Sequence, residues 1–403
     1  MRHLRHLCLL YMLFLLCACQ TATPSTPTAV VQLSTATILI ATSLSTATPI
    51  PTQTTTAVPT TTDIPTLTTT ATDTSTPTIT PIPRFVASEG FDFQQANSAR
   101  ALSTGSSGTW DGGQIFQPEI VYHDGRFHMF YVGFKTQAAI NGAIGYATST
   151  DGINWSKHPS NPVLQGPDDL PTLYAPAVYF DGRQWVMFVN AAENRSIIGR
   201  AILRATAPSL DGPWTLGDQP MLDQRSTRQW DYQSQPASFI LLDNELRLYY
   251  MALGGSGIQM GLATSPDGLN WTRHDDPITT ELAQNGSDPI LPLGEPEQWD
   301  TATSGSLSVL YDNEKWELFY VGTTTSPFDF VTNPVTQKKP IHIGYATSKD
   351  GLKWMRHEDN PVLQIYDNCW PLLGSIKHDG VYYIYHDTGC GFDGINVFWG
   401  TIP

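Results

Sequence analysis

Three stretches of the chain carry nearly the same wording: GYATSTDGINW at 145–155, GLATSPDGLNW at 261–271 and GYATSKDGLKW at 344–354. Each begins with small, β-branched and aromatic residues that suit a strand, breaks at Ser-x-Asp-Gly, and resumes at a Trp. In Ser149-Thr150-Asp151-Gly152 the Asp carboxylate is placed to accept backbone N–H groups of its own turn, and Gly152 can take positive φ. A unit that recurs at this length is a structural part before it is an active site.

The repeat extends upstream of the phrase. QPEIVYHDGRFHMFYVG (117–133), QPASFILLDNELRLYYMA (235–252) and GSLSVLYDNEKWELFYVG (305–322) precede the three copies. A degenerate fourth unit runs from APAVYFDGRQWVMFVN (175–190) to GRAILRATAPSLDGPW (199–214), and a fifth from PLLGSIKHDGVYYIYHD (371–387) to INVFWGT (395–401). In each, an apolar strand meets a two-residue turn at Asp124-Gly125, Asp181-Gly182, Asp243-Asn244, Asp312-Asn313 or Asp379-Gly380, and an aromatic strand follows. The phrase supplies a third strand, a turn, and a fourth strand bearing Trp155, Trp214, Trp271 or Trp354 as a plug between neighbours. Five units of four short antiparallel strands predict an all-β, five-bladed β-propeller over 84–403, with no helix of ten residues or more.

Antiparallel alternation puts the first-to-second and third-to-fourth strand turns on one face. The opposite face holds the strand entries and the second-to-third strand loops, which differ in length from unit to unit, and binding is expected there, around the central channel.

The first 83 residues are of another kind. MRHLRHLCLLYMLFLLCAC (1–19) is a charged start followed by a short apolar run, ending in Leu16-Cys17-Ala18-Cys19. It reads as a lipoprotein-type signal peptide with Cys19 as the lipidated residue, an ordinary signal peptide being the alternative. Residues 20–83 are mostly Thr, Ser and Pro with Asp63 and Asp73 as the only charges, a composition that reads as a disordered stalk. The protein is thus expected outside the cytoplasm, held to a bacterial membrane only by its lipid anchor, or secreted. The two arginines and two aspartates before residue 84 cancel, so the whole net charge of −15 lies in 84–403. Such an acidic surface argues against nucleic acid as a partner. Cys369 and Cys390, the two cysteines beyond the leader, are expected to form a disulfide in an exported protein, and two thiols alone make a poor zinc site. No nucleotide-binding glycine loop and no HExxH occurs.

The blade count, the x-Pro starts of three inner strands (Gln117-Pro118, Ala175-Pro176, Gln235-Pro236), the recurrent Ala-Thr-Ser-x-Asp-Gly-x-x-Trp, and Asn-Pro-Val-Leu at 161–164 and 360–363 resemble the five-bladed propeller glycosidases: arabinanases, β-xylosidases, levansucrases and invertases. The resemblance covers essentially all of 84–403. It implies a carbohydrate-active monomer acting on an oligo- or polysaccharide, with an Asp, an Asp and a Glu on the inner strands of blades one to three. The matching positions here read Gln117, Ala177 and Gln235. It also implies a Ca2+ or a water-bound His in the channel near His386; no other cofactor and no protein metal site is expected.

Hydrolysis of a glycosidic bond takes two carboxyl groups, so other acids on the loop face become the candidates. They are Asp111 or Glu119 as base or nucleophile, Asp231 as acid and Glu193 as modulator. Trp110-Asp111, Trp230-Asp231 and Trp299-Asp300 each precede an inner strand. They read either as a ring of acids and sugar-stacking platforms, with Trp370 entering the fifth blade, or as a blade-joining device that happens to recur. His386 reads either as a channel residue or as a core histidine. If strand alternation points Gln117 into the channel, Glu119 points there too. The rival to hydrolysis is a non-catalytic carbohydrate-binding surface protein with Gln117 and Gln235 as hydroxyl ligands; a protein-binding propeller is the third reading.

Overall fold

The computed structural model describes residues 85–95, 100–138, 140–193, 201–222, 229–254, 257–276, 286–324, 341–365, 372–387 and 393–403. All regular elements among them are strands. The first three are short: β1 (Phe85–Ala87), β2 (Asp92–Gln95) and β3 (Leu102–Ser103). Four-stranded antiparallel sheets then follow one another. The first is β4 (Gln114–His123), β5 (Arg126–Phe134), β6 (Ala143–Ser149) and β7 (Ser156–Lys157); the second is β8 (Thr172–Phe180), β9 (Trp185–Ala192), β10 (Ala201–Ala207) and β11 (Thr215–Leu216). The third is β12 (Gln233–Leu242), β13 (Glu245–Gly254), β14 (Gly257–Ser265) and β15 (Thr272–Arg273), and a single parallel pair, Ile258 with Thr303, links it to the fourth. The fourth is β16 (Thr303–Asp312), β17 (Lys315–Thr323), β18 (Ile341–Ser348) and β19 (Trp354–Arg356), with β20 (Leu363–Ile365) beside β18 and β1 beyond it.

The fifth blade is closed by a strand far away in sequence. β21 (Leu373–His378), β22 (Val381–Asp387) and β23 (Gly394–Thr401) lack a fourth partner of their own, and β2 pairs antiparallel with β23, Asp92 opposite Thr401. β3 pairs with the start of β23, Leu102 opposite Ile395. The two ends of the described chain thus share one sheet.

The core is divided in the same way. Buried apolar side chains fall into five clusters, one in each seam between neighbouring blades, including the seam that joins the fifth to the first. That distribution is what a closed wheel requires, because each sheet buries both faces against its neighbours. The predicted five-bladed propeller is therefore the observed architecture.

The repeated phrase proves to be the material of those seams. Asp151 Oδ1 accepts the backbone N–H groups of Ile153 and Asn154, both at 2.8 Å, and the Ser149 hydroxyl oxygen accepts that of Gly152 at 2.9 Å. The same bonds recur at 265–270 and 348–353. Gly152 takes φ 72°, and its carbonyl accepts the Tyr385 hydroxyl of the fifth blade at 2.6 Å. Gly351 of the fourth blade accepts Tyr249 of the third in the same manner, at 3.1 Å. Each following Trp packs on the second strand of the preceding blade: Trp155 on Tyr385, Trp214 on Phe130, Trp271 on Phe188 and Trp354 on Tyr249. In Asn-Pro-Val-Leu, Asn161 pairs with the backbone of Tyr146 through both amide atoms, and Asn360 does so with Tyr345.

The hairpin turns fall at the Asp-Gly and Asp-Asn pairs with two departures, the first in the second blade, where Phe180 pairs with Trp185 and a four-residue turn, Asp181 to Gln184, replaces the two-residue one expected at Asp181-Gly182. Asp124 and Gly125, Asp243 and Asn244, and Asp379 and Gly380 all have positive φ, as two-residue hairpins need. In the fourth blade the pair is Asn313-Glu314, one residue later than read, because Asp312 still pairs with Lys315.

Candidate functional site

The Trp-Asp pairs lie inside the blades. Asp111 Oδ2 accepts the Tyr131 hydroxyl at 3.1 Å and pairs with Lys157 Nζ at 2.5 Å. Asp231 Oδ2 accepts the hydroxyls of Tyr250 at 3.2 Å and Ser287 at 2.9 Å, with Arg273 Nε at 3.1 Å. Asp300 Oδ2 accepts Tyr320 at 3.1 Å and Arg356 Nε at 2.8 Å. The three sites are one device built three times. The Asp precedes the inner strand, the Tyr comes from the second strand, and the cation comes from the fourth. Trp110 and Trp299 lie over Gly133 and Gly145, and over Gly322 and Gly344, where any Cβ would run into the indole or the Tyr ring beneath it. Trp230 is buried against Tyr250, with its Nε1 donating to the Ser287 carbonyl at 2.9 Å.

Of the two readings of Trp-Asp, the blade-building one is therefore what the geometry supports. Asp111, Asp231 and Asp300 are at most 3 % exposed, are held by a cation and a tyrosine inside the blades, and do not line the channel cavity. Trp230 is buried, and Trp110 and Trp299, which stay partly exposed, each lay one ring face on their own sheet. His386 is buried, its ring stacked at 4.9 Å on Phe398, with Nδ1 near the Asp387 carbonyl, so it is a core histidine. Glu193 is exposed just beyond β9. Trp370, Cys369, Cys390 and Cys19 fall outside the described residues.

Gln117, Glu119 and Gln235 do come together. They line a cavity of about 40 Å³ in the central channel, with Ala175, Met251, Ser306 and Leu373 among its other walls. Inner-strand bulges shape it. Pairing slips between Phe116 and Glu119, between Tyr174 and Ala177, between Pro236 and Ser238, and between Gly305 and Ser308. Gln117, Ala175 and Ser306 take φ of 52°, 47° and 48° at these bulges, a conformation that bulky residues adopt at a cost. These registers make Ala177, Ser238, Ser308 and Ser375 the counterparts of Glu119, lying opposite Phe188, Tyr249, Phe319 and Ile384 as Glu119 lies opposite Phe130. Gln117 then matches Ala175, Pro236 and Ser306. The shared Gln-Pro of 117–118 and 235–236 is one residue out of register, and the two glutamines reach the channel from different positions.

The inner strands are stitched to one another by side chains. Gln117 Oε1 accepts Ala175 N–H at 2.9 Å, and Glu119 Oε1 accepts Val178 N–H at 3.2 Å. Ser238 accepts Val309 N–H and Ser308 accepts Ser375 N–H, both at 2.9 Å. Gln117 Nε2 approaches Gln235 Oε1 at 3.5 Å. Glu119 keeps part of its surface on the cavity but is enclosed by protein, and that burial pushes its carboxyl up to about 8; the N–H groups of Val178 and Ile120 pull only partly the other way. Burial thus favours its protonated form.

Two buried acids, Asp288 and Glu317, were not anticipated from the sequence. Glu317, fully buried between the fourth and fifth blades, accepts the hydroxyls of Tyr345 and of Tyr382, the latter at 2.7 Å, and pairs with Lys315 at 2.8 Å. Burial favours its neutral form, but these bonds outweigh burial and hold its carboxyl below the usual range. It does not line the channel cavity.

No family model matches the sequence. A stretch of 116 residues is 29 % identical to the 1,2-beta-oligomannan phosphorylase of Thermoanaerobacter sp. (strain X514), covering 28 % of this chain and 36 % of that protein. The chain thus spans about a third of the curated relative it matches. Among solved structures, a glycosyl hydrolase from Bacteroides ovatus superposes with a TM-score of 0.57 at 16 % identity, over 77 % of this chain and 94 % of that one. A second structure comes from the GH130 family of mannoside phosphorylases, which contains glycoside hydrolases that target beta-1,2 mannosidic linkages in Candida mannan. It superposes with a TM-score of 0.55 at 15 % identity, over 79 % of this chain and 96 % of the other. The fold is that of the propeller glycosidases.

Proposed function

We propose that the chain is a carbohydrate-active protein that cleaves a glycosidic bond of an oligosaccharide at the channel mouth, with Glu119 as proton donor. The observation that carries this is the place of Glu119: a carboxyl on the channel cavity, beside two amides, that burial pushes up to about 8. A leaving sugar oxygen needs such a group. Gln117 and Gln235 suit the hydroxyls of the sugar. The attacking group is inorganic phosphate, whose own negative charge replaces the second carboxylate that attack by water would need; the sugar leaves as its 1-phosphate while the leaving oxygen takes the proton of Glu119, and the partial likeness to an oligomannan phosphorylase supports phosphate. Asp111 and Asp231 have no part in this reading, because each is neutralised inside a blade.

A second reading rests on a different observation. Glu119 binds Val178 N–H just as Ser238 and Ser308 bind the blades that follow them, and about 40 Å³ holds a few waters but no hexose. On that reading Glu119 is a stitch, and the channel mouth binds a glycan without cleaving it.

One screen separates the two. Purified protein is offered aryl β-mannosides and β-1,2-linked manno-oligosaccharides with and without inorganic phosphate, alongside a glycan array. Cleavage that Glu119→Gln abolishes supports the first reading. Binding without cleavage supports the second. Cleavage at full rate by Glu119→Gln would dismiss Glu119 as the donor.

A further inference from the structure

A part that every blade needs is structural, so the informative positions are those where one blade departs from the rest. Gln117 and Glu119 are two such departures. Asp387, the last residue of β22, is a third. It lies three residues beyond Ile384, the residue opposite Ser375. The same step in the other blades reaches Gly133, Ala191, Ala252 and Gly322. Four blades place a small residue there; the fifth places a carboxylate that is 3 % exposed.

That carboxylate crosses a seam. Asp387 Oδ1 accepts the backbone N–H of Gln117 at 3.0 Å, and Oδ2 accepts that of Leu372 at 3.1 Å. Gln117 is the bulge residue held at φ 52°, and its side chain in turn meets Ala175 and Gln235. A single chain of contacts therefore runs from the fifth blade through Gln117 to the second and third. A buried carboxylate that accepts backbone N–H groups makes charge-assisted bonds, about twice as strong as neutral ones. It is well suited to hold a strained backbone in place.

We propose that Asp387 is a positioning residue for the channel site, fixing the left-handed bulge at Gln117 and so aiming the Gln117 amide and the Glu119 carboxyl at the cavity. The inference rests on the reading of the channel as the ligand site. Asp387 itself does not line the cavity. Its effect is on geometry, and it reaches a ligand only through Gln117 and Glu119.

The test uses the full chain, wild type and Asp387→Asn, with two readouts. The first is the titration of Glu119, followed by NMR of the side-chain carboxyl carbon in glutamate-labelled protein. With the bulge released, water reaches Glu119, and its midpoint should fall by about one pH unit or more towards the ordinary glutamate value. A folded Asp387→Asn protein whose Glu119 titrates as in wild type would overturn the proposal. The second readout is affinity for β-1,2-mannotriose by calorimetry, expected to weaken about tenfold in Asp387→Asn, with no further loss when Gln117→Ala is added. Equal affinity in Asp387→Asn and wild type would also count against it. If wild type does not bind the trisaccharide, the functional reading has failed for that sugar, while the titration still decides the positioning role. If Asp387→Asn does not fold, the substitution is repeated in a Gln117→Gly background, where positive φ needs no holding. Recovery of folding there supports the proposal, and failure to recover makes Asp387 a general seam residue.

Discussion

Glu119 gives a quantitative prediction. Its carboxyl is raised from about 4.5 in the unfolded chain to about 8 in the fold. Between those values the unfolded chain releases a proton that the folded chain retains, so the unfolded state binds fewer protons and stability falls as pH rises. The slope is about 1.4 kcal/mol per pH unit, and from pH 5 to pH 8 the integrated loss is about 3.5 kcal/mol. Channel water screening the carboxylate makes that figure an upper value. Glu119→Gln keeps the shape of the protonated acid and cannot ionise. Urea unfolding of both proteins at half-unit steps from pH 5 to pH 9 isolates the group, because every other titration is common to the two and cancels in the difference. The wild-type curve should start near that of the variant at pH 5 and drop steadily below it up to about pH 8, then run parallel. Parallel curves throughout would mean that Glu119 ionises normally, and the proton-donor reading would lose its basis.

Three further outcomes follow from the seams and the blade interiors. Asp231→Ala leaves Arg273 without its buried partner and should cost about 3–5 kcal/mol in urea unfolding, while a structural acid of this kind leaves the fold's ligand preference unchanged. Gly344→Ala drives a methyl into Tyr320 and Trp299, and by overpacking should cost about 1–3 kcal/mol, seen as a lower Tm. Removing the chain up to residue 95 strips β2 from the fifth blade and bares the β23 edge, so the truncated protein should self-associate more than the full chain in light scattering.

What could be read from the sequence was what is local and repeated. The Ser-x-Asp-Gly turns, the hairpin pairs and the Trp plugs each sit within a dozen residues and recur, so blade number and blade content were legible before any coordinates. Their docking partners were not: Tyr385 meets Gly152 across 233 residues. The closure of the fifth blade by β2 is hidden for the same reason. The Trp-Asp pairs misled because an acid beside an aromatic ring looks alike whether it faces sugar or a lysine of its own blade, and only Tyr131 with Lys157 decides for Asp111. Gln117 and Glu119 do share the channel, but not through alternation: the bulge between Phe116 and Glu119 breaks it, and Pro118, expected to point away, lines the cavity with them. Matching by proline failed at Gln235, since both strands carry the same one-residue bulge but the proline occupies a different position in each, Pro118 one step later than Pro236. Asp387 was visible only as half of His386-Asp387, and its role became apparent once registers put it beside Gly133, Ala191, Ala252 and Gly322.

The central claim is a division of labour, in which the shared turns join blades and the unshared inner-strand residues meet the ligand. Hydrogen-exchange mass spectrometry, with and without an oligosaccharide that the screen identifies, measures it most directly. Ligand should slow exchange in peptides spanning 114–120 and 233–238, and leave 149–155, 265–271 and 348–354 unchanged. Protection centred on the three repeated turns, with the inner strands unaffected, would contradict it.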